Sequence, residues 1–300
     1  MNALKLIGFL RLMRLANIVT AVSDILAGIA VAGYLSGPEW DPVPIALLTI
    51  ATIGLYGGGV VFNDVFDAEL DRLERPERPI PSGLISKRAA MVFGAALLLL
   101  GILAASLVHE PGPFSLSGLL AIGIALASLV YDKWSKHHSF LGPLNMGICR
   151  GLNLLLGMSI APQVLEQYGW ISIVPVIYVA AITMISRGEV HGGKQTTLYG
   201  AALLYAAVIL SILLAAANRQ ALGIAAVFTA LFALMIFPPL LKAIRHPAGP
   251  LIGKAVKAGV LALIIMNAAW ASAFGFPYFA LAILLLLPVS LLLAKLFAVT

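Results

Sequence analysis

Apolar runs of roughly 17 to 24 residues follow one another along the whole chain, and a helix needs about 20 such residues to cross the hydrocarbon layer of a bilayer. They fall near 17–37, 43–63, 88–109, 115–131, 139–162, 168–186, 197–217, 220–240, 252–273 and 277–298. The break between the last two rests on Phe274–Gly275–Phe276–Pro277, so nine or ten spans are expected. Composition agrees: 61% of the 300 residues are apolar and 11% charged, where a soluble domain carries about a quarter charged. The expectation is an all-α integral membrane protein, a single domain over 1–300, with its helices around a central cavity. Residues 1–15 hold Lys5, Arg11 and Arg14 spread through an amphipathic pattern, which suits a segment lying on the membrane surface better than a cleaved signal.

The net charge of +6 does not argue for nucleic acid, because the basic residues sit in short loops between spans. With the N-terminus cytoplasmic, alternate loops collect Arg72, Arg75, Arg78, Lys87, Arg88, Lys133, Lys136, Arg187, Lys194, Lys242, Arg245, Lys254 and Lys257, whereas the opposite loops hold Arg219. That asymmetry is the positive-inside pattern. It predicts a multi-pass protein of a bacterial cytoplasmic membrane with its charged loops in the cytoplasm. Cys149 is the single cysteine, so neither a disulfide nor a thiolate metal cluster is available.

Six of the thirteen acidic residues crowd into Asn63–Arg78, directly after the second run. Asp64, Asp67 and Asp71 are spaced i, i+3, i+7, so a helix continuing through them presents all three on one side. Carboxylates so placed suit magnesium, which takes one or two of them and completes its octahedron with water and phosphate oxygens. Asn63 adds an amide beside them. A solvated helix end, with charges paired locally to Arg72, Arg75 and Arg78, is the alternative. Pro79 and Pro81 then stop the helix and are expected to hold the backbone extended, with Arg78 close to the carboxylates.

The run NDVFDAELDRLERPERPIPSG resembles the first aspartate-rich motif of the UbiA superfamily of intramembrane prenyltransferases, N-D-x-x-D-x-x-x-D followed by R-P-[ILV]-x-S-G. The stretch GPLNMGICRGLNLLLG, the loop SRGEVHGG and the terminal FAVT are similar to its EboC-like branch. The resemblance implies a UbiA-type bundle of nine spans with cytoplasmic loops after the second, fourth and sixth. It implies magnesium held on a prenyl diphosphate by Asn63, Asp64, Asp67 and Asp71, with Arg78 neutralising the diphosphate. It also implies transfer of the isoprenoid to an aromatic or lipid acceptor.

In the loop after the fourth run, Asp132 and Lys136 stand at i, i+4 and read as a local ion pair, while the resemblance offers Lys136 to the diphosphate. The loop after the sixth departs from the family's second acidic motif. It holds Glu189 and His191, which do not share a helical face, with Arg187 and Lys194 as electrostatic substitutes. Within the spans, Arg150 and Asn153 share one face and Asn17, Thr20 and Asp24 another. Both sets are expected to line the chamber, with Asp24 paired to Arg150. Gly57–Gly58–Gly59 reads as a close helix contact.

Three other readings compete. The fold without the reaction would give a lipid-binding or export component, a reading the depleted third loop favours. A secondary transporter would show repeated halves with interrupted helices, for which Pro238–Pro239 in the eighth run is the sole hint. A CDP-alcohol phosphotransferase would need a D-G-x-x-A-R element that the chain lacks.

Overall fold

The computed structural model describes residues 3–37, 41–108, 115–138, 140–189 and 192–297. Among them the regular structure is helical throughout: α1 (Ala3–Leu12), α2 (Leu15–Val31), α3 (Pro42–Phe66), α4 (Ala68–Glu74), α5 (Lys87–Ser106), α6 (Leu116–Lys133), α7 (Leu141–Met158), α8 (Val164–Tyr168), α9 (Ile173–Ser186), α10 (Gln195–Asn218), α11 (Leu222–Arg245), α12 (Gly249–Ala273), α13 (Pro277–Leu284) and α14 (Leu286–Leu296).

Eight stretches are long and apolar enough to cross a membrane, and nine when α1 and α2, bent by 48° at their junction, count as one. Leu99, Leu203, Leu210 and Leu234 project from α5, α10 and α11 and are exposed, as they should be on a surface solvated by lipid. The expected fifth run, 139–162, is α7. Asn145, Arg150 and Asn153 lower its apolarity, and it packs against α2, α6 and α9 inside the bundle. The chain is a multi-pass integral membrane protein.

Local chemistry sets the ends of the elements. Asp41, Ser86 and Ser115 cap α3, α5 and α6 by accepting backbone N–H groups of the first turn. The last run breaks at Leu285, one turn before Pro288, whose ring clashes with the carbonyl four residues back. Pro238 and Pro239 do not interrupt α11, which runs unbroken to Arg245.

Helices approach closely where glycine faces backbone. A Cβ on Gly28 would lie 2.5 Å from the Leu154 carbonyl, and one on Gly157 2.4 Å from that of Ile25, so α2 and α7 touch through paired glycines. Gly58 meets Leu98 and the Gly94 carbonyl of α5 in the same way, which is the helix contact expected of the glycine triplet.

That α2–α7 contact places a buried polar network. Arg150 on α7 donates through Nη1 to Asp24 Oδ2 at 2.7 Å and through Nη2 to Thr20. The other Asp24 oxygen accepts from Asn267 Nδ2 of α12 at 2.8 Å, and Asn153 Nδ2 reaches Oδ2 at 3.1 Å. Thr52 of α3 donates to Asn153 Oδ1 at 2.8 Å. Four helices are thus tied at one level, and the expected pairing of Asp24 with Arg150 is present.

The loops meet in two groups. At one end the segments after α3, α6, α9 and α11 touch: Arg187 Nη2 donates to the His138 carbonyl at 3.5 Å, Gln195 Nε2 to that of Ile244 at 3.0 Å, and the Gly193 N–H to that of Pro247 at 3.2 Å. At the other end Arg219 lies over the rings of Tyr168 and Phe274.

Two stability predictions follow from this packing. Asp24→Leu strands the Arg150 charge and should cost about 3–5 kcal/mol, with the double variant Asp24→Leu/Arg150→Met recovering most of it. Gly157→Ala should cost about 1–3 kcal/mol by forcing α2 from α7. Thermal unfolding in detergent reads both, and an Asp24→Leu variant as stable as the parent would deny the network its tying role.

Candidate functional site

Asn63, Asp64, Asp67 and Asp71 occupy the end of α3 and the start of α4. Helical bonding carries across the junction, where the Asp67 N–H bonds the Asn63 carbonyl and the Asp71 N–H that of Asp67. Residues seven apart on a helix lie about 20° apart around its axis, whereas residues three apart are separated by about 60°. The three carboxylates divide accordingly. Asp64 and Asp71 converge on Arg78, whose Nη1 donates to Asp71 Oδ2 at 2.7 Å and to Asp64 Oδ1 at 3.4 Å. Asp67 turns aside and accepts from Lys136 Nζ.

Arg78 is placed by the segment between α4 and α5. The prolines do not hold this backbone extended; it folds into successive turns, with the Ser82 N–H bonded to the Arg78 carbonyl, that of Gly83 to Ile80, and that of Ile85 to Pro79. Gly83 has φ +78°, a left-handed conformation that glycine takes without strain. Ile85 is buried with Leu12, Val61, Val65 and Ala90, and this apolar anchor holds Arg78 beneath α3, where its Nε is buried without a hydrogen-bond partner.

Two participants escape the sequence reading. Arg14, counted above among the surface charges of 1–15, is the junction of α1 and α2 with φ +49°. Its Nη2 donates to Asp64 Oδ1 at 2.6 Å, and Gly8 and Leu12 of α1 are buried. Arg14 precedes Asn17 by three positions, so the polar stripe Asn17, Thr20, Asp24 could have been extended to it. Asp132, read as the local partner of Lys136, instead accepts from Asn63 Nδ2 at 2.8 Å. No signal in the sequence marks that choice, since the i, i+4 spacing favours the local pair.

An internal cavity of about 320 Å³ runs from these residues into the bundle. Arg14, Asn17, Asn63, Tyr131 and Asp132 form its polar end, Arg150 and Asn153 contribute deeper, and Leu55, Ile124, Val179, Ile182, Val260 and Leu263 supply apolar wall. The Arg150 guanidinium lies 5.1 Å from the centre of the Tyr56 ring, another lining residue.

Of the residues singled out from sequence, Asn17, Asn63, Arg150 and Asn153 line the cavity. Asp64, Asp71 and Arg78 are buried and joined to its polar end through Arg14. Lys136 joins through Asp67 at the same end. Asp24 stands behind Arg150 with both oxygens taken by protein donors.

Arg187, Glu189 and Lys194 are exposed and lie outside the cavity lining, and His191 falls outside the described residues. Partial burial pushes the Glu189 carboxyl above the usual range, opposed by the nearby Arg75 charge. Among the described residues no three His, Cys, Asp or Glu side chains converge on a point that could hold a metal.

The chain resembles known proteins in sequence and in fold. A digeranylgeranylglyceryl phosphate synthase of Methanothrix thermoacetophila is 44% identical over 101 residues, 34% of this chain and 37% of that relative. The chain spans between 37% and 62% of the length of the first three such relatives it matches, all synthases of that name.

The apo structure of a UbiA homologue from Aeropyrum pernix K1 superposes with a TM-score of 0.67 at 21% identity, covering 84% of this chain and 96% of the other. A UbiA homologue from Archaeoglobus fulgidus, solved with DMAPP and Mg2+ bound, gives a TM-score of 0.58 at 16% identity over 92% and 98% of the two chains. These are likenesses of fold. The family model of the UbiA prenyltransferase family matches residues 23–249, and the chain belongs to that family.

Proposed function

We propose that this protein is an intramembrane prenyltransferase that moves an isoprenoid chain from a prenyl diphosphate to an aromatic or lipid acceptor. The observation that carries the reading is the cavity, which begins at Arg14, Asn63 and Asp132, beside the ion-paired aspartates of α3 and α4, and continues between apolar helices. A diphosphate has a place at the first and an isoprenoid tail at the second. Family membership agrees with it, as do the names of the relatives.

Oxygen donors of the kind a hard cation takes stand here, each carboxylate of the run being ion-paired in this structure. Asn63, Asp64, Asp67 and Asp71 offer oxygen ligands, and magnesium needs only one or two carboxylates beside phosphate and water oxygens. When bound, Mg2+ would supply charge neutralisation of the diphosphate.

The chain's own groups do the remainder. Arg78, buried and paired with Asp71 and Asp64, places a positive charge behind the polar end. Arg14 and Lys136 bring two further positive charges, each already held in position by a carboxylate. Fixed charges of this kind stabilise the departing diphosphate as the allylic C–O bond breaks and its electron pair stays on oxygen. The apolar wall excludes water, which would otherwise trap the allylic cation before the acceptor bonds to it and releases its proton.

Arg150 is tied to Asp24 and Thr20, so its role is to present a neutralised guanidinium to the chamber as a substrate contact. Asn17 and Asn153 line the same wall. In the depleted loop after α9, Arg187, Glu189 and Lys194 would meet the diphosphate from the side on which that loop touches the segment after α6.

The orientation follows from charge: the carboxylate end carries the basic loops and faces the cytoplasm. The relatives are archaeal, and they lend no support to the expectation of a bacterial membrane.

The variant Asp64→Ala/Asp67→Ala should lower turnover of a labelled prenyl diphosphate by about 10²–10³-fold, and full activity would exclude the role given to these carboxylates. Incubation of the purified protein with several prenyl diphosphates and a membrane extract, with and without Mg2+, should yield a magnesium-dependent prenylated product whose mass names the acceptor. Prenyl-lipid binding without release of diphosphate would instead favour a binding or export component.

A further inference from the structure

Charges at the polar end of the cavity do not balance. Arg14 holds Asp64, Arg78 holds Asp71 and Asp64, and Lys136 holds Asp67. Three cations therefore face four carboxylates, and the one without a cation at ion-pair distance is Asp132. It is 4% exposed, and its Oδ1 accepts only the neutral amide of Asn63. Its Oδ2 is buried without any hydrogen-bond partner, and the residue lines the cavity. A buried carboxylate oxygen left in that condition is costly unless something of positive character meets it.

Asn63 sharpens the point. Asn63 turns its Nδ2 toward Asp132 Oδ1, so its own carbonyl oxygen faces away from that carboxyl group. Asp132 Oδ2 is left as the oxygen that no protein group meets.

We propose that Asp132, through its Oδ2, is a ligand for a divalent cation held at the polar end of the cavity. The proposal rests on the prenyl-diphosphate reading in so far as that reading gives the cation its purpose. It moves part of the cation's coordination from the aspartates of α3 and α4 to the end of α6. A magnesium-like ion needs only one or two carboxylates and keeps water or phosphate in its other positions. A bound cation also reverses the sign of the local charge, so that an arriving diphosphate meets a positive site rather than a negative one.

The test is direct titration of the detergent-purified protein with Mn2+ alone, counting free ion by electron paramagnetic resonance, for the parent, Asp132→Asn and Asp64→Asn. Asp132→Asn should weaken Mn2+ binding on the order of tenfold or more. It should also reduce the rise in melting temperature that Mg2+ produces. Asp132→Ala serves as the second variant if the new amide disturbs folding. Unchanged Mn2+ affinity in both variants overturns the proposal, and loss of binding in Asp64→Asn alone returns the cation to α3 while leaving the proposed function standing. A parent that takes up no Mn2+ also overturns it, and the magnesium dependence of prenyl transfer then decides separately on the function.

Discussion

A guanidinium set among apolar helices has to be neutralised by another helix, and Arg150 organises much of this bundle through that requirement. Stranding one member of a buried pair costs several kcal/mol, so α7 must lie where Asp24 of α2 can reach it. The glycines that let α2 and α7 touch make this possible. Asn267 and Asn153 complete the coordination of Asp24, which adds α12, and Thr52 adds α3. The chamber lies beside this network, and Thr52, Arg150 and Asn153 carry it into the lining.

The same economy operates at the polar end. Each carboxylate of the N-D-x-x-D-x-x-x-D run is held by a cation drawn from a different part of the chain: Arg14 from the α1–α2 junction, Arg78 from the turns before α5, and Lys136 from the segment after α6. Such pairs gain little at a water-exposed surface. Here the side chains are largely buried, and the pairs fix three loops against one another around the opening of the chamber. Asp132 stands apart as the carboxylate that no protein cation meets.

Features governed by local chemistry were readable in the chain. The apolar runs, the break before Pro277, the close contact at Gly58 and the acidic run at the end of the second span all appear where the sequence puts them. The Asp24–Arg150 pair was legible for a further reason, since an ionisable residue within a span seeks an opposite charge at its own depth. Where two rules competed, the reading failed. The i, i+4 spacing of Asp132 and Lys136 favoured a local bond, yet Lys136 goes to Asp67 and Asp132 to Asn63. Two prolines suggested an extended segment at 79–81, and backbone hydrogen bonds turned it instead.

The sequence by itself determined that this chain would lie in a membrane, which of its stretches would be helices, and where its carboxylates would gather, because hydropathy and helical periodicity act between residues close in the chain. Tertiary structure alone decided that Arg14 belongs to the site, that Asp64 and Asp71 share Arg78 while Asp67 does not, and that Asp132 keeps an unpartnered oxygen. Those outcomes depend on which helices become neighbours and how each is rotated about its axis. That selection is made by packing across distances in sequence that no local pattern records.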